Sequence, residues 1–394
     1  MEKKALPSLA RQIRGVSYKP EDIRATLDAT SVTLLRANNI ADGNINFDDV
    51  VYVDRKRIAK EQYLRRGDVL ICASSGSKNL VGKAAKIDFD GEYTFGAFCK
   101  VVRPILAEDA DFISLFFQSP IYRRQISSLS MGININNIKN EHIDSFSINW
   151  PASEQRMKIV RVLNSVCSVI KSRQSELSAL DDLIKARFVE LFGDPESNGK
   201  AWPVQTLEKL CTVGSSKRIY QNEQSDDGIP FWRVSDLVNK MDTGVADSDL
   251  FIPEHKYVEL KQNGLVPKAG DILVTSRGTL GRCYIIQKED RFYFQDGMIS
   301  WLYDYCDCIT PLYLKYLFAM PGFRKQIDSM QAGSTVAYLS IAMLKKLKVM
   351  VPSRASQDSF AAFIAQIDKS KFAIQQALNE TQKLFDSLMQ QYFG

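Results

Sequence analysis

Ten positions between Ser153 and Gly193 keep a 4-3 spacing that is almost wholly apolar: Ile159, Leu163, Val166, Ile170, Arg173, Leu177, Leu180, Ile184, Arg187 and Leu191. That spacing predicts one long helix with a seam that needs a second helix against it. The pattern returns 201 residues later as Phe360, Ile364, Ile367, Lys371, Ile374, Leu378, Thr381, Phe385, Leu388 and Tyr392. The partner helix is therefore expected in the same chain.

The repeat extends beyond the helices. At the same offset Ser119-Pro-Ile-Tyr-Arg-Arg-Gln-Ile126 falls on Met320-Pro-Gly-Phe-Arg-Lys-Gln-Ile327, Gly132 on Gly333, Ile138 on Leu339, Ile143 on Leu344 and Pro151 on Pro352. Leu191-Phe-Gly193 falls on Tyr392-Phe-Gly394. Upstream the register drifts by a few residues, as loops of unequal length require. Arg66-Gly-Asp-Val-Leu-Ile71 still echoes Ala269-Gly-Asp-Ile-Leu-Val274, Gly76 and Gly82 echo Gly278 and Gly281, and Leu35-Arg36 echoes Trp232-Arg233. The chain thus reads as domain, helix, domain, helix, with boundaries at 1–150, 151–193, 194–351 and 352–394.

Within each domain, β-rich runs alternate with Gly, Asp and Asn turns: Val69–Ala73, Thr94–Val102, Ile272–Thr275, Cys283–Ile286 and Met298–Tyr303. Helical segments follow at Asp111–Ser128 and Pro311–Met330. Each domain is expected to be α+β with a bent, largely antiparallel sheet. Pro151 and Pro352 stop a strand just before Ser153 and Ser353, the expected helix N-caps, while Gly193 and Gly394 sit where C-caps belong. Helices of about 36 residues would each run roughly 50 Å. Paired as an antiparallel coiled coil with pseudo-twofold symmetry, they would match roughly 15 base pairs of duplex.

Composition narrows the function. At 394 residues the chain needs two or three cores, and it has no run of about 18 apolar residues. Met1–Arg14 lacks the apolar core of a signal peptide, so a cytoplasmic location is expected. The net charge of +5 suits a polyanionic partner without requiring one. Seven scattered cysteines suit a reducing compartment, and Cys306-Asp-Cys308, with His142 and His255 the two imidazoles of the chain, is not expected to hold a metal.

Catalytic signatures are missing. Gly76-Ser-Lys-Asn-Leu-Val-Gly82-Lys83-Ala84 has five residues between its glycines and Ala where a phosphate-binding loop needs Ser or Thr. No amino-methyltransferase motif, dinucleotide fingerprint or carboxylate-lysine nuclease cluster occurs, and two histidines leave few players for Ser-His or Cys-His catalysis. The chain reads as a recognition protein with no catalytic residues of its own.

Both domains carry a polar Gly loop after a strand, Ser74-Ser75-Gly76-Ser77-Lys78 and Thr275-Ser276-Arg277-Gly278-Thr279. Hydroxyls, backbone N–H groups and a basic residue grip phosphates and reach base edges, although a solvated turn has the same composition. Ser74, Ser75, Lys78, Ser276, Arg277 and Thr279 are the candidate contacts there. Arg36 and Arg233 could each read a guanine by a bidentate pair, with Asn38 or Asn39 available for adenine and Ser235 beside Arg233. Arg123-Arg124 and Arg324-Lys325 fall on matched helices, together with Tyr122 and Phe323, and could clamp the DNA backbone or support the core.

With these residues in view, the chain resembles the specificity subunit of type I restriction-modification enzymes over its whole length. Ile13-Arg-Gly-Val-Ser-Tyr-Lys19, Leu34-Leu-Arg-Ala-Asn-Asn-Ile-Ala-Asp-Gly43, Arg66-Gly-Asp-Val-Leu70, Phe188-Val-Glu-Leu-Phe-Gly-Asp-Pro195, Trp202-Pro203 and Leu207-Glu-Lys-Leu-Cys211 fit that family. The resemblance implies two target-recognition domains, each reading one half of a bipartite, asymmetric DNA sequence, with the helices as the ruler of the spacer. It implies two methylation subunits docked on the helices and two restriction subunits joined through them. S-adenosylmethionine, ATP and Mg2+ would belong to those partners, which carry adenine-N6 methylation and ATP-dependent cleavage, and this chain would hold no cofactor. Arg173, Arg187, Lys371 and Thr381, the polar seam positions, are the candidates for facing the methylation subunits. In isolation the exposed helix faces leave a homodimer open. The competing expectation is a protein-interaction scaffold with two binding domains on a helical spacer.

Overall fold

The computed structural model describes residues 2–41, 43–76, 80–131, 137–331 and 337–394, those at 129–131 by backbone alone. The chain divides into two compact units, and the division runs across both long helices. One unit is Met1–Ser175 with Gln375–Gly394; the other is Glu176–Ile374. Boundaries at 150, 193 and 351 follow the order of the chain, whereas these units follow its packing.

The long helices are Ser153–Phe192 and Arg354–Phe393. Every seam position named above is buried or half-buried, so the 4-3 spacing marks the covered face of each helix. Ser353 does cap its helix, accepting the Ser356 N–H at 3.2 Å. The other helix instead begins at Ser153 itself.

Each unit carries two main sheets rather than the single bent sheet expected. In the first unit Ala10–Arg14, Cys99–Pro104, Val69–Cys72 and Ala84–Lys86 form an antiparallel sheet in that spatial order. A second sheet orders Tyr93–Phe95, Ser31–Leu35, Val51–Asp54 and Ile23–Arg24, its first two strands parallel. The second unit repeats this with Thr212–Gly214, Ile299–Tyr303, Ile272–Thr275 and Cys283–Ile285, all antiparallel. Its other sheet orders Phe251–Ile252, Ile229–Trp232 and Tyr293–Phe294, the last two parallel. The expected strand Thr94–Val102 is cut because the Cys99 N–H closes a turn on the Gly96 carbonyl, which passes the chain from one sheet to the other. Proline cuts the helical segments. Ala110–Gln118 ends before Pro120, and Pro311–Ala319 ends before Pro321, because proline offers no N–H and holds Ser119 and Met320 extended.

Each unit's core is closed by the far end of the helix that follows the other domain. In the first unit Phe393 packs on Phe112 at 5.0 Å between ring centres, within a cluster that includes Ile159, Leu163 and Met389. In the second, Phe192 packs on Tyr313 at 4.9 Å, with Phe188, Phe360 and Ile364. Phe393 and Phe192 are 201 residues apart, as are Tyr313 and Phe112. The repeated register thus places the same aromatic contact in both cores, and burying such rings is the main driving force at each.

The aspartates of the two Gly-Asp pairs have matching backbone roles and different side-chain partners. Asp68 accepts the Arg65 N–H and Asp271 the Lys268 N–H, each at 2.8 Å. Asp68 then pairs with the Arg103 guanidinium at 2.8 Å, while Asp271 accepts the Trp301 indole N–H at 2.9 Å.

Among the described residues no helix is long and apolar enough to cross a membrane, and no group of three or more His, Cys, Asp or Glu could hold a metal ion. Cys306 and Cys308 are joined as a disulfide, a departure from the reducing compartment that the scattered cysteines suit; their Cα atoms lie 5.3 Å apart, within bridging range.

Candidate nucleic-acid interface

The strand Ser31–Leu35 runs directly into Arg36, and its parallel neighbour Tyr93–Phe95 runs into Gly96, whose N–H bonds the Leu35 carbonyl at 2.9 Å. The chain ends of the two strands therefore open on the same side. There a cleft of about 820 Å³ gathers Tyr18, Arg36, Asn38, Ser74, Ser75 and Phe98. Four of the candidates are brought together, along with two aromatic rings that the residue pattern had not singled out. Phe98 is 70% exposed, the most exposed large apolar side chain among the described residues. Its chain carbonyl accepts the Ser74 N–H at 2.9 Å, which ties the Gly loop to the aromatic turn.

Arg36 reaches Asp49 at 2.8 Å, and Asn38 donates to the same carboxylate at 2.7 Å. Arg36 Nε is buried and has no hydrogen-bond partner among the described residues. Asn39 is corrected. It is buried, its Oδ1 accepts the Arg36 N–H at 2.7 Å and its amide donates to the Asn46 and Asp49 carbonyls, so it shapes the turn and has no group left for adenine. Lys78 lies outside the described residues, as do Gly132 and Gly333.

The second unit repeats the frame. The Gln295 N–H bonds the Trp232 carbonyl at 2.9 Å, Arg233 follows that strand, and its N–H is capped by Asp236 at 2.8 Å. Arg233 reaches Asp249 at 2.5 Å. Ser235 is exposed beside it. In the Gly loop Arg277 is exposed and lies 5.3 Å from the Tyr338 ring centre, a cation-π distance, and Thr279 is exposed too. Ser276 is corrected: it is buried, with its hydroxyl bonded to that of Ser300 at 2.8 Å.

In each matched helix pair the first residue turns inward. Arg123 donates to the Val81 carbonyl at 3.2 Å and Arg324 to the Leu280 carbonyl at 2.9 Å, each holding the Gly loop from beneath. Arg124 bonds Gln390 at 2.7 Å and Lys325 bonds Glu196 at 2.5 Å. Arg123 and Arg324 give up the reading as a clamp on the DNA backbone for intramolecular roles, while Arg124 and Lys325 are exposed in surface pairs. Three of the four polar seam residues are engaged within the chain. Lys371 pairs with Asp181 of the other long helix, Arg187 pairs with Glu190 and lies over Phe363, and Thr381 bonds back to the Ala377 carbonyl. Arg173 is half-buried.

Thiol chemistry has no place at the cleft. Burial pushes the Cys72 thiol up to about 11 and raises that of Cys99 as well, which keeps both protonated at neutral pH.

The sequence profile described as "Type I restriction modification DNA specificity domain" matches this chain twice, over residues 34–180 and 199–382. The chain belongs to that family. The type I restriction enzyme EcoKI specificity subunit of Escherichia coli (strain K12) is 28% identical over 398 residues, covering 96% of this chain and 84% of that relative. The StySPI specificity subunit of Salmonella potsdam is 36% identical over 173 residues, 44% of this chain and 37% of its own length. In fold the chain is similar to the S subunit of a type I restriction-modification system from M. genitalium, with a TM-score of 0.52, 16% identity and coverage of 100% of this chain and 96% of that one. A second solved chain, titled for complex assembly and conformational transition of the type I R-M system, gives 0.53 and 16% with 99% and 98% covered.

Asp49, Asp249, Tyr18 and Phe98 were missed in the sequence because a surface aspartate or a lone aromatic has no periodic signature. The one legible hint is that Asp49 and Asp249 keep nearly the same separation, 200 residues, as the arginines they meet.

Proposed function

We propose that this chain is the non-catalytic DNA-reading subunit of a type I restriction-modification enzyme, with each compact unit reading one half of a bipartite, asymmetric target. The observation that carries this reading is one frame built twice with different side chains on its open edge: Asn38, Ser75 and Phe98 at the first cleft, Ser235, Arg277 and Tyr338 in the second unit. Similar frames with unlike edges suit two unlike half-sites.

In this reading the two long helices set the length of the nonspecific spacer as an antiparallel pair. Their exposed apolar side chains, Met157 and Leu183 on one and Phe372 and Leu384 on the other, are open to two methylation subunits, with two restriction subunits joining through these. S-adenosylmethionine, ATP and Mg2+ are then cofactors of the partners.

Methylome sequencing of cells that carry the chain with an active methylation subunit tests the proposal. A two-part N6-methyladenine motif with a fixed gap is the expected result. Methylation without any such motif would overturn it and favour a protein-interaction scaffold.

A further inference from the structure

Arg36 and Arg233 stand at the same point of the two frames. Each follows a strand with a parallel neighbour, and each has its N–H capped by the side chain three residues on, Asn39 or Asp236. Each guanidinium meets an exposed carboxylate, Asp49 or Asp249, which are 70% and 74% exposed; Arg233 Nε also meets the buried Asp236 at 3.4 Å, where the first unit has the neutral Asn39. An ion pair this open adds little to stability, so holding the fold does not explain its presence twice.

The reason for the duplication is chemical. If the two units read different half-sites, a side chain of one type, at one place, with an exposed carboxylate on it in both cannot encode the difference. The DNA backbone is the feature that every sequence presents alike, and a guanidinium takes a phosphate with the same two-donor geometry that it uses for a carboxylate.

We propose that Arg36 and Arg233 are sequence-independent phosphate contacts, one in each unit, and that Asp49 and Asp249 are displaceable carboxylates that occupy them until DNA arrives. This rests on the DNA-reading function proposed above. The carboxylate orients the guanidinium in the free protein and repels phosphates until it is displaced, so nonspecific duplex is held weakly. Displaced, Asp49 keeps the Asn38 amide as a donor. Specificity then falls to unmatched neighbours such as Phe98 and Arg277.

The test uses the full chain, a random-sequence duplex titrated at several salt concentrations, and motif selection from a random duplex library. Arg36→Ala and Arg233→Ala should each weaken binding, reduce the slope of log affinity against log salt by about one, and leave both selected half-sites unchanged. Asp49→Asn and Asp249→Asn, which keep the frame and its capped turn, should bind random duplex several-fold more tightly. Arg277→Ala should relax the motif in one half only. Loss of one base preference in Arg36→Ala or Arg233→Ala would overturn the proposal in favour of base reading, as would weaker binding by Asp49→Asn. An unchanged salt slope would reduce the pairs to surface ion pairs. If the unaltered chain selects no motif and shows no salt-dependent binding, the DNA-reading function itself fails, which is a separate outcome.

Discussion

Arg324 donates to the Leu280 carbonyl at 2.9 Å, and Arg123 makes the equivalent bond to Val81. Leu280 and Val81 are buried, so the loop carbonyls that these arginines satisfy lie close to water-poor surroundings. Truncating Arg324 to Ala should destabilise the chain by about 1–3 kcal/mol, the cost of leaving such an acceptor without its partner. In urea the midpoint should fall without a change in slope. The salt dependence of DNA binding should stay as it was; a slope lower by about one would return Arg324 to the role of a phosphate contact.

Gly281 has φ +71, and a Cβ there would lie 2.7 Å from Ile327 Cδ1; Gly82 repeats the arrangement at φ +80 with Ile126. Gly278, at φ +69, has open space around it. Gly278→Ala should therefore cost about 1–2 kcal/mol, the strain of a left-handed backbone alone. Gly281→Ala adds a clash with a buried side chain and should cost clearly more. Equal losses in urea denaturation would show that Ile327 moves aside freely.

Burial raises the Asp271 carboxyl above its ordinary 3.8, against bonds from the Lys268 N–H and the Trp301 indole that pull it down. A raised value means that the folded chain holds this proton more tightly than the unfolded chain does. The contribution is complete below the unfolded value and is lost as pH rises through the folded one. Asp271→Asn keeps an acceptor oxygen and does not titrate. Its stability relative to the unaltered chain should therefore rise as the pH climbs above about 4. A difference independent of pH would show that Asp271 stays at its ordinary value.

The helices as the ruler can be tested by length. Removing one seven-residue repeat from both Ser153–Phe192 and Arg354–Phe393 preserves the seam spacing. With an active methylation subunit, the variant should direct methylation to a motif with the same half-sites and a shorter gap. Unchanged spacing with an active enzyme would show that the helices do not set it.

Much of the architecture could be read without coordinates. The 4-3 spacing identified both long helices and their covered faces, because burial of a helix repeats with the helix turn and leaves a periodic record. Pro120 and Pro321 broke the shorter helical segments for a reason that is equally local. The offset of 201 predicted one frame used twice, and the matched turns at Arg36 and Arg233 confirm that for the candidate interface.

Tertiary structure decided where each polar group finds its partner. Asn39 and Ser276 look like their exposed neighbours in sequence, yet a turn and a sheet bury them; Arg123 and Arg324 look like surface charges, yet they bond loop carbonyls about 40 residues away along the chain. The same holds for Phe393, whose place on Phe112 follows from how the long helices return to the domains. Periodicity records which face is covered, since burial depends on position along one element. The identity of the covering group depends on distant parts of the chain meeting in space, and residue type alone carries no trace of that meeting.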